Sequence, residues 1–160
     1  MSNQQGSLSH KHLAVDCFNK TWDLLDKGNR SLIEEEQMVH LCHTSFWHWT
    51  QVDDRTPQNI YIGYWQLSRV YSVVGNGGQA LYYADQCVKV STEAELPPFF
   101  IAYAYEARAR AQLVLKQLTE AGESLELAGT FINLVKIEES KKLVETDIVE
   151  LGKELSGLVQ

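Results

Sequence analysis

The chain has 160 residues, 44% of them hydrophobic, and a formal charge of -7, which predicts one globular domain and argues against nucleic acid or an anionic membrane as partner, since both select basic surfaces. No stretch approaches the roughly 18 apolar residues of a membrane span, and residues 1–9 are polar and small, read here as a disordered start without a signal peptide. Three cysteines, Cys17, Cys42 and Cys87, show no CxxC spacing and sit on or beside apolar helical stripes, so buried reduced thiols, a cytoplasmic setting and no cofactor are expected.

Helical periodicity then runs almost from end to end, predicting an all-α single domain over residues 10–160. A first helix spans about His10 to Lys27, with Leu13, Cys17, Thr21 and Leu24 on one row and Ala14, Phe18, Trp22 and Leu25 on the next, and Gly28-Asn29 ends it. Ser31 followed three residues on by Glu34 is a capping box for a second helix reaching about Trp49. Thr56-Pro57 marks an N-cap with proline at the first helical position, opening a third helix with Ile60, Tyr64, Leu67, Tyr71 and Val74 at helical spacing. Gly75 stops it, and Asn76 caps a fourth helix carrying Ala80, Ala84, Cys87 and Ser91. Pro97-Pro98 opens an alanine-rich fifth helix to about Leu118. A sixth, near Glu120 to Val135, presents Ala121, Leu125, Ala128, Ile132 and Val135. The last, near Glu138 to Leu155, has an apolar stripe of Val144, Ile148, Leu151 and Leu155 opposite a charged face, as the end of a helical stack requires.

Helices three and four are echoed by five and six at an offset of 41 residues. Tyr64, Ser68, Gly75, Ala80, Ala84 and Cys87 recur as Tyr105, Ala109, Lys116, Ala121, Leu125 and Ala128. Paired helices with aromatic and small residues at fixed places indicate a solenoid, in which each unit buries its apolar face against its neighbours. Tyr64, Ser68, Tyr71, Gly75, Ala80 and Cys87 make residues 60–92 resemble a tetratricopeptide repeat (TPR). Residues 101–134 follow the pattern less closely, with Gln112 and Lys116 in place of its tyrosine and glycine. Glu35 to Trp49 together with Gly63 to Tyr71 is similar to a group of short bacterial TPR-like proteins. The resemblance implies three antiparallel hairpins (10–50, 57–92, 97–135) and a capping helix (138–155). Its period of about 34 residues places the extra length in the Glu93–Pro98 loop.

In TPR proteins the first helices of the repeats line a groove. Carried over by register, the groove residues are Ile62, Trp65 and Arg69 in one repeat and Tyr103, Glu106 and Arg110 in the next. Two arginines flanked by Trp65 and Tyr103 suit an acidic peptide or a terminal carboxylate. The competing reading pairs Arg110 with Glu106 one turn earlier and leaves Arg69 an ordinary surface residue. On helix two, Glu36, His40, His43 and Trp47 share a side opposite Met38, Cys42, Ser45 and Trp49. The first set is a candidate metal or partner face, because imidazole and carboxylate both donate lone pairs to divalent ions. The blander reading packs it against a neighbouring hairpin.

Three further motifs carry less. Gly75-Asn76-Gly77-Gly78 follows a helix rather than a strand and reads as a turn, not a phosphate loop. Glu34-Glu35-Glu36 offsets a helix dipole. Cys42 and His43, adjacent on a helix, point to different sides and cannot share a proton well. The expectation is a non-enzymatic, peptide- or protein-binding TPR-like module. The alternatives are a homodimer burying Trp47 or Phe99 and Phe100, and a metal-binding protein built on Glu36, His40 and His43.

Overall fold

Seven helices follow one another in the computed structural model, which describes residues 8–159: α1 (His10–Leu25), α2 (Leu32–Thr50), α3 (Pro57–Val73), α4 (Gly77–Glu93), α5 (Pro98–Val114), α6 (Leu118–Ile132) and α7 (Glu138–Val159). The expected disorder of residues 1–9 falls mostly outside the described residues. Ser9 is part of the fold, its hydroxyl accepting from the His12 amide as N-cap of α1.

The caps form where the local chemistry directs them. Ser31 and Glu34 make a reciprocal capping box, Thr56 and Asn59 make another ahead of Pro57, and the Asn76 side chain accepts from the Gln79 amide. Helix α1 stops at Leu25, earlier than expected. The Arg30 guanidinium folds back to donate to the carbonyls of Leu24, Leu25 and Lys27 at 3.3, 3.1 and 2.8 Å, so the exposed end is satisfied by a side chain. Helix α7 runs on to Val159, beyond the expected Leu155.

Each helix packs on the next, and the odd-numbered helices also reach one another, α3 against α5 and α5 against α7. Helix α1 joins that face through the Gln66 amide, which donates to the Phe18 carbonyl at 3.0 Å, and through Trp22 stacked on Trp65. The result is an all-α helical-repeat arrangement with one face built from α1, α3, α5 and α7. Its core is a succession of clusters along the stack: Met38, Cys42, Leu67 and Val70; then Tyr61, Cys87 and Ala104; then Ala102, Tyr103, Ile132 and Val144; then Ala109, Leu113, Ala121 and Leu151. The small-residue stripe Ala80, Ala84, Cys87 and Ser91 is wholly buried, because helices approach closely where side chains are short. At Gly63 an added Cβ would lie 2.6 Å from the Phe46 ring, so α2 and α3 meet there only with hydrogen at that position.

The 41-residue period persists in the backbone where the side chains diverge. Helix α3 ends with the Asn76 amide donating to the Tyr71 carbonyl at 2.8 Å and Gly75 at φ 82°. Helix α5 ends the same way, with the Gln117 amide donating to the Gln112 carbonyl at 2.9 Å and Lys116 at φ 61°. Because Lys116 takes the left-handed turn without being glycine, α5 stops at Val114 and α6 begins at Leu118, both before the positions expected from the side-chain pattern. The stacked Tyr71–Tyr83 pair is replaced, 41 residues on, by a hydrogen bond of 2.7 Å from Ser124 to Gln112. The extra length of the unit does not sit in the 93–98 loop. Helices α3 and α4 have 17 residues each and the link to α5 covers only 94–97, so longer helices carry the period. Lys116→Gly should raise the unfolding free energy by about 0.5–1 kcal/mol, the left-handed strain relieved exceeding the added freedom of the unfolded chain. A urea midpoint that stays put or falls would contradict this.

Candidate functional site

The face shared by the odd-numbered helices holds a cavity of about 450 Å³, within the roughly 300–1,000 Å³ range of ligand sites. Helix α1 contributes Phe18 and Trp22, α3 Tyr61, Ile62, Trp65 and Arg69, α5 Phe99, Phe100 and Tyr103, and α7 Leu143 and Asp147. The aromatic walls are braced by edge-to-face packing, with ring centroids 5.9 Å apart for Trp65–Tyr103 and 5.3 Å for Phe99–Tyr103. The Tyr61 hydroxyl donates to the Phe100 carbonyl at 2.6 Å, and burial pushes its pKa well above the tyrosine range.

One end of the cavity is charged. The Arg69 guanidinium lies over the Trp65 ring, 5.0 Å from its centroid, with Nη2 3.7 Å from Glu106 Oε2. Glu106 is completely buried, and Arg110 donates to its Oε1 from Nε at 3.1 Å and from Nη2 at 2.5 Å. Asp147 accepts from the Tyr103 hydroxyl at 2.8 Å, and burial followed by that carboxylate drives the Tyr103 pKa far up. Desolvation pulls the Arg69 pKa down while Glu106 and Asp147 hold it up; a guanidinium stays charged, so it sits as a poorly hydrated cation.

Of the six residues placed in a groove by register, Ile62, Trp65, Arg69 and Tyr103 line the cavity together. Glu106 does not present itself to solvent; it lies beneath, between the two arginines. Arg110 pairs with it one turn away, as the alternative pairing had it, whereas Arg69 is no ordinary surface residue. The lining residues from α1 were legible only as an apolar row. Phe99 and Phe100, expected as exposed aromatics for a dimer, are half-buried in the wall. Leu143 and Asp147 had no signal, because α7 lies outside the repeat.

The face of α2 divides. His40 and Glu36 are exposed with 3.6 Å between Nε2 and Oε1, but His43 turns to Tyr71, with Nε2 2.7 Å from the hydroxyl. Burial and then His40 lower the His43 pKa, favouring the neutral ring. No group of three or more His, Cys, Asp or Glu side chains among the described residues is placed to hold a metal ion. Trp47 is 54% exposed and lies beside the rings of His10 and His48, whose Nδ1 atoms are 2.9 Å apart. Cys42 and Cys87 are buried and Cys17 half-buried, all as free thiols. Burial pushes the Cys42 pKa to about 12, and its thiol donates to the Val39 carbonyl at 3.1 Å rather than engaging His43.

No helix among the described residues is long and apolar enough to cross a membrane. Scans against protein-family models, curated proteins and solved structures found no match to the chain.

Proposed function

We propose that the chain is a non-enzymatic TPR-like interaction module that holds a segment of a partner protein on the face formed by α1, α3, α5 and α7. The observation that carries this reading is the aromatic-walled cavity where four helices converge, into which the repeat register brings Ile62, Trp65, Arg69 and Tyr103. The shared helix-ending turns of α3 and α5 support the TPR-like assignment, since they preserve the period where side chains do not. In this reading Glu106 and Arg110 hold Arg69 in place from below rather than touch the partner. A cytoplasmic setting fits the free thiols.

The test is affinity capture from the cell of origin with the wild-type chain and with Leu143→Glu, followed by mass spectrometry. Leu143 is 57% exposed while lining the cavity, so the substitution should charge the site and leave the fold intact. A partner retained by wild type and lost by the variant is the expected result. Identical partner sets would remove the cavity from the function. Light scattering on the same samples reads the rival case, two copies meeting through Trp47, which would show as a dimer that Trp47→Ser breaks.

A further inference from the structure

Resting on the groove reading above, we infer that the occupant is an uncharged, internal peptide segment: large apolar side chains fill the aromatic cavity while one main-chain amide bridges Arg69 and Asp147. Three observations lead there. First, the ionised groups gathered at the charged end, Arg69, Arg110, Glu106 and Asp147, already sum to zero. An anionic partner gains from Arg69 but meets Asp147 and, behind the arginine, Glu106. A cationic partner meets Arg69. Bringing either charge against aromatic walls costs solvation that these neutralised groups do not return.

Second, hydrogen-bonding capacity is left over in complementary form. Among the described residues Arg69 donates no hydrogen bond, its contact with Glu106 being 3.7 Å, and Asp147 receives the Tyr103 hydroxyl on Oδ2 with Oδ1 unused. Arg69 as donor and Asp147 as acceptor, both lining the cavity, match the carbonyl and N–H of an amide, the polar unit that every internal peptide position supplies, and the buried Trp65 Nε1 beside them is a further donor without a partner among the described residues. Third, a second apolar cavity adjoins the first. Phe99 and Phe100 wall not only this cavity but a second one of about 680 Å³, lined on its far side by Leu134, Val135 and Ile137. Two apolar pockets sharing a wall fit a chain with more than one apolar anchor. The preference for an acidic segment expected from Arg69 and Arg110 alone is thereby replaced by a preference for neutrality.

The experiment pans the full-length chain against random heptapeptides held at both ends in a carrier loop. Enriched sequences are then resynthesised with acetylated and amidated ends and titrated calorimetrically. The expected winners carry two or more of Phe, Trp, Leu and Ile with no net charge. Leu143→Glu should weaken them by at least about tenfold, and Arg69→Met and Asp147→Asn by about tenfold each, the loss typical of one charge-assisted hydrogen bond. Circular dichroism checks that each variant is folded, and Leu143→Glu keeps the test decisive if Arg69→Met is not.

Acidic winners that Leu143→Glu still abolishes would overturn this inference and leave the groove reading standing. Winners indifferent to Leu143→Glu would overturn both. If no peptide is enriched but the neutral dye N-phenyl-1-naphthylamine binds wild type and not Leu143→Glu, the cavity takes a small apolar molecule and both readings fall; both fall equally if neither probe binds.

Discussion

Glu106→Ala is expected to lower the unfolding free energy by about 3–5 kcal/mol, the loss that follows when one partner of a buried ionic cluster is removed. The carboxylate is fully buried inside α5 and takes two hydrogen bonds from Arg110 with Arg69 approaching from α3. Without it two guanidinium groups, with side chains only 20% and 25% exposed, face each other across the α3–α5 contact. Alanine is the better helix former, so no loss from local propensity is mixed into the result. Glu106→Gln keeps the volume and one acceptor and should lose less. Urea denaturation of the three proteins provides the comparison. A loss below about 1 kcal/mol for the alanine variant would mean that the arginines swing out to water, and the cluster would then not be what seats Arg69 at the cavity rim.

The second large effect is expected at the other end of the stack. Leu151→Ala should cost about 2–5 kcal/mol, because Leu151 is 2% exposed in a cluster with Ala109, Leu113 and Ala121, flanked by Leu118, Leu125 and Leu155, and truncation removes buried methyl groups and leaves a cavity that its neighbours fill only in part. The loss should be local in character. In a stacked helical protein each unit is stabilised by its neighbours, so weakening the last contact loosens α7 before the rest. Hydrogen exchange should show α7 amides losing protection while α1 to α4 keep theirs. A uniform rise in exchange across the chain would show that the helices unfold as one unit and that α7 is not a separable cap. Loosening α7 also displaces Leu143 and Asp147, so the same variant should bind the neutral heptapeptides more weakly.

What was legible from the residues alone lies within a turn or two of chain. The capping box at Ser31, the Thr56 and Asn76 caps, the small-residue stripe of α4 and the apolar stripe of α7 all depend on neighbours a few positions away, and helical geometry brings those together in any fold. Even Lys116, misread as helix interior, yields to the repeat. Its counterpart Gly75 marks the left-handed position, and only the side chain hid the equivalence.

Four of the cavity residues, Ile62, Trp65, Arg69 and Tyr103, were reached through that repeat. The remainder depended on distant partners. That His43 turns to a tyrosine depended on Tyr71, 28 residues away, and the fate of Glu106 on Arg69 from another helix. Trp22 meets Trp65, and Tyr103 meets Asp147, across gaps of more than forty positions. Sequence periodicity states which side of a helix is apolar. It does not state which helix stands against that side, and burial, pKa and charge balance all follow from that choice. The chain alone thus determined seven helices, most of their starts and the repeat between them; only the tertiary packing decided where several of them end, that four of them line an aromatic cavity, and that the charges at its rim cancel.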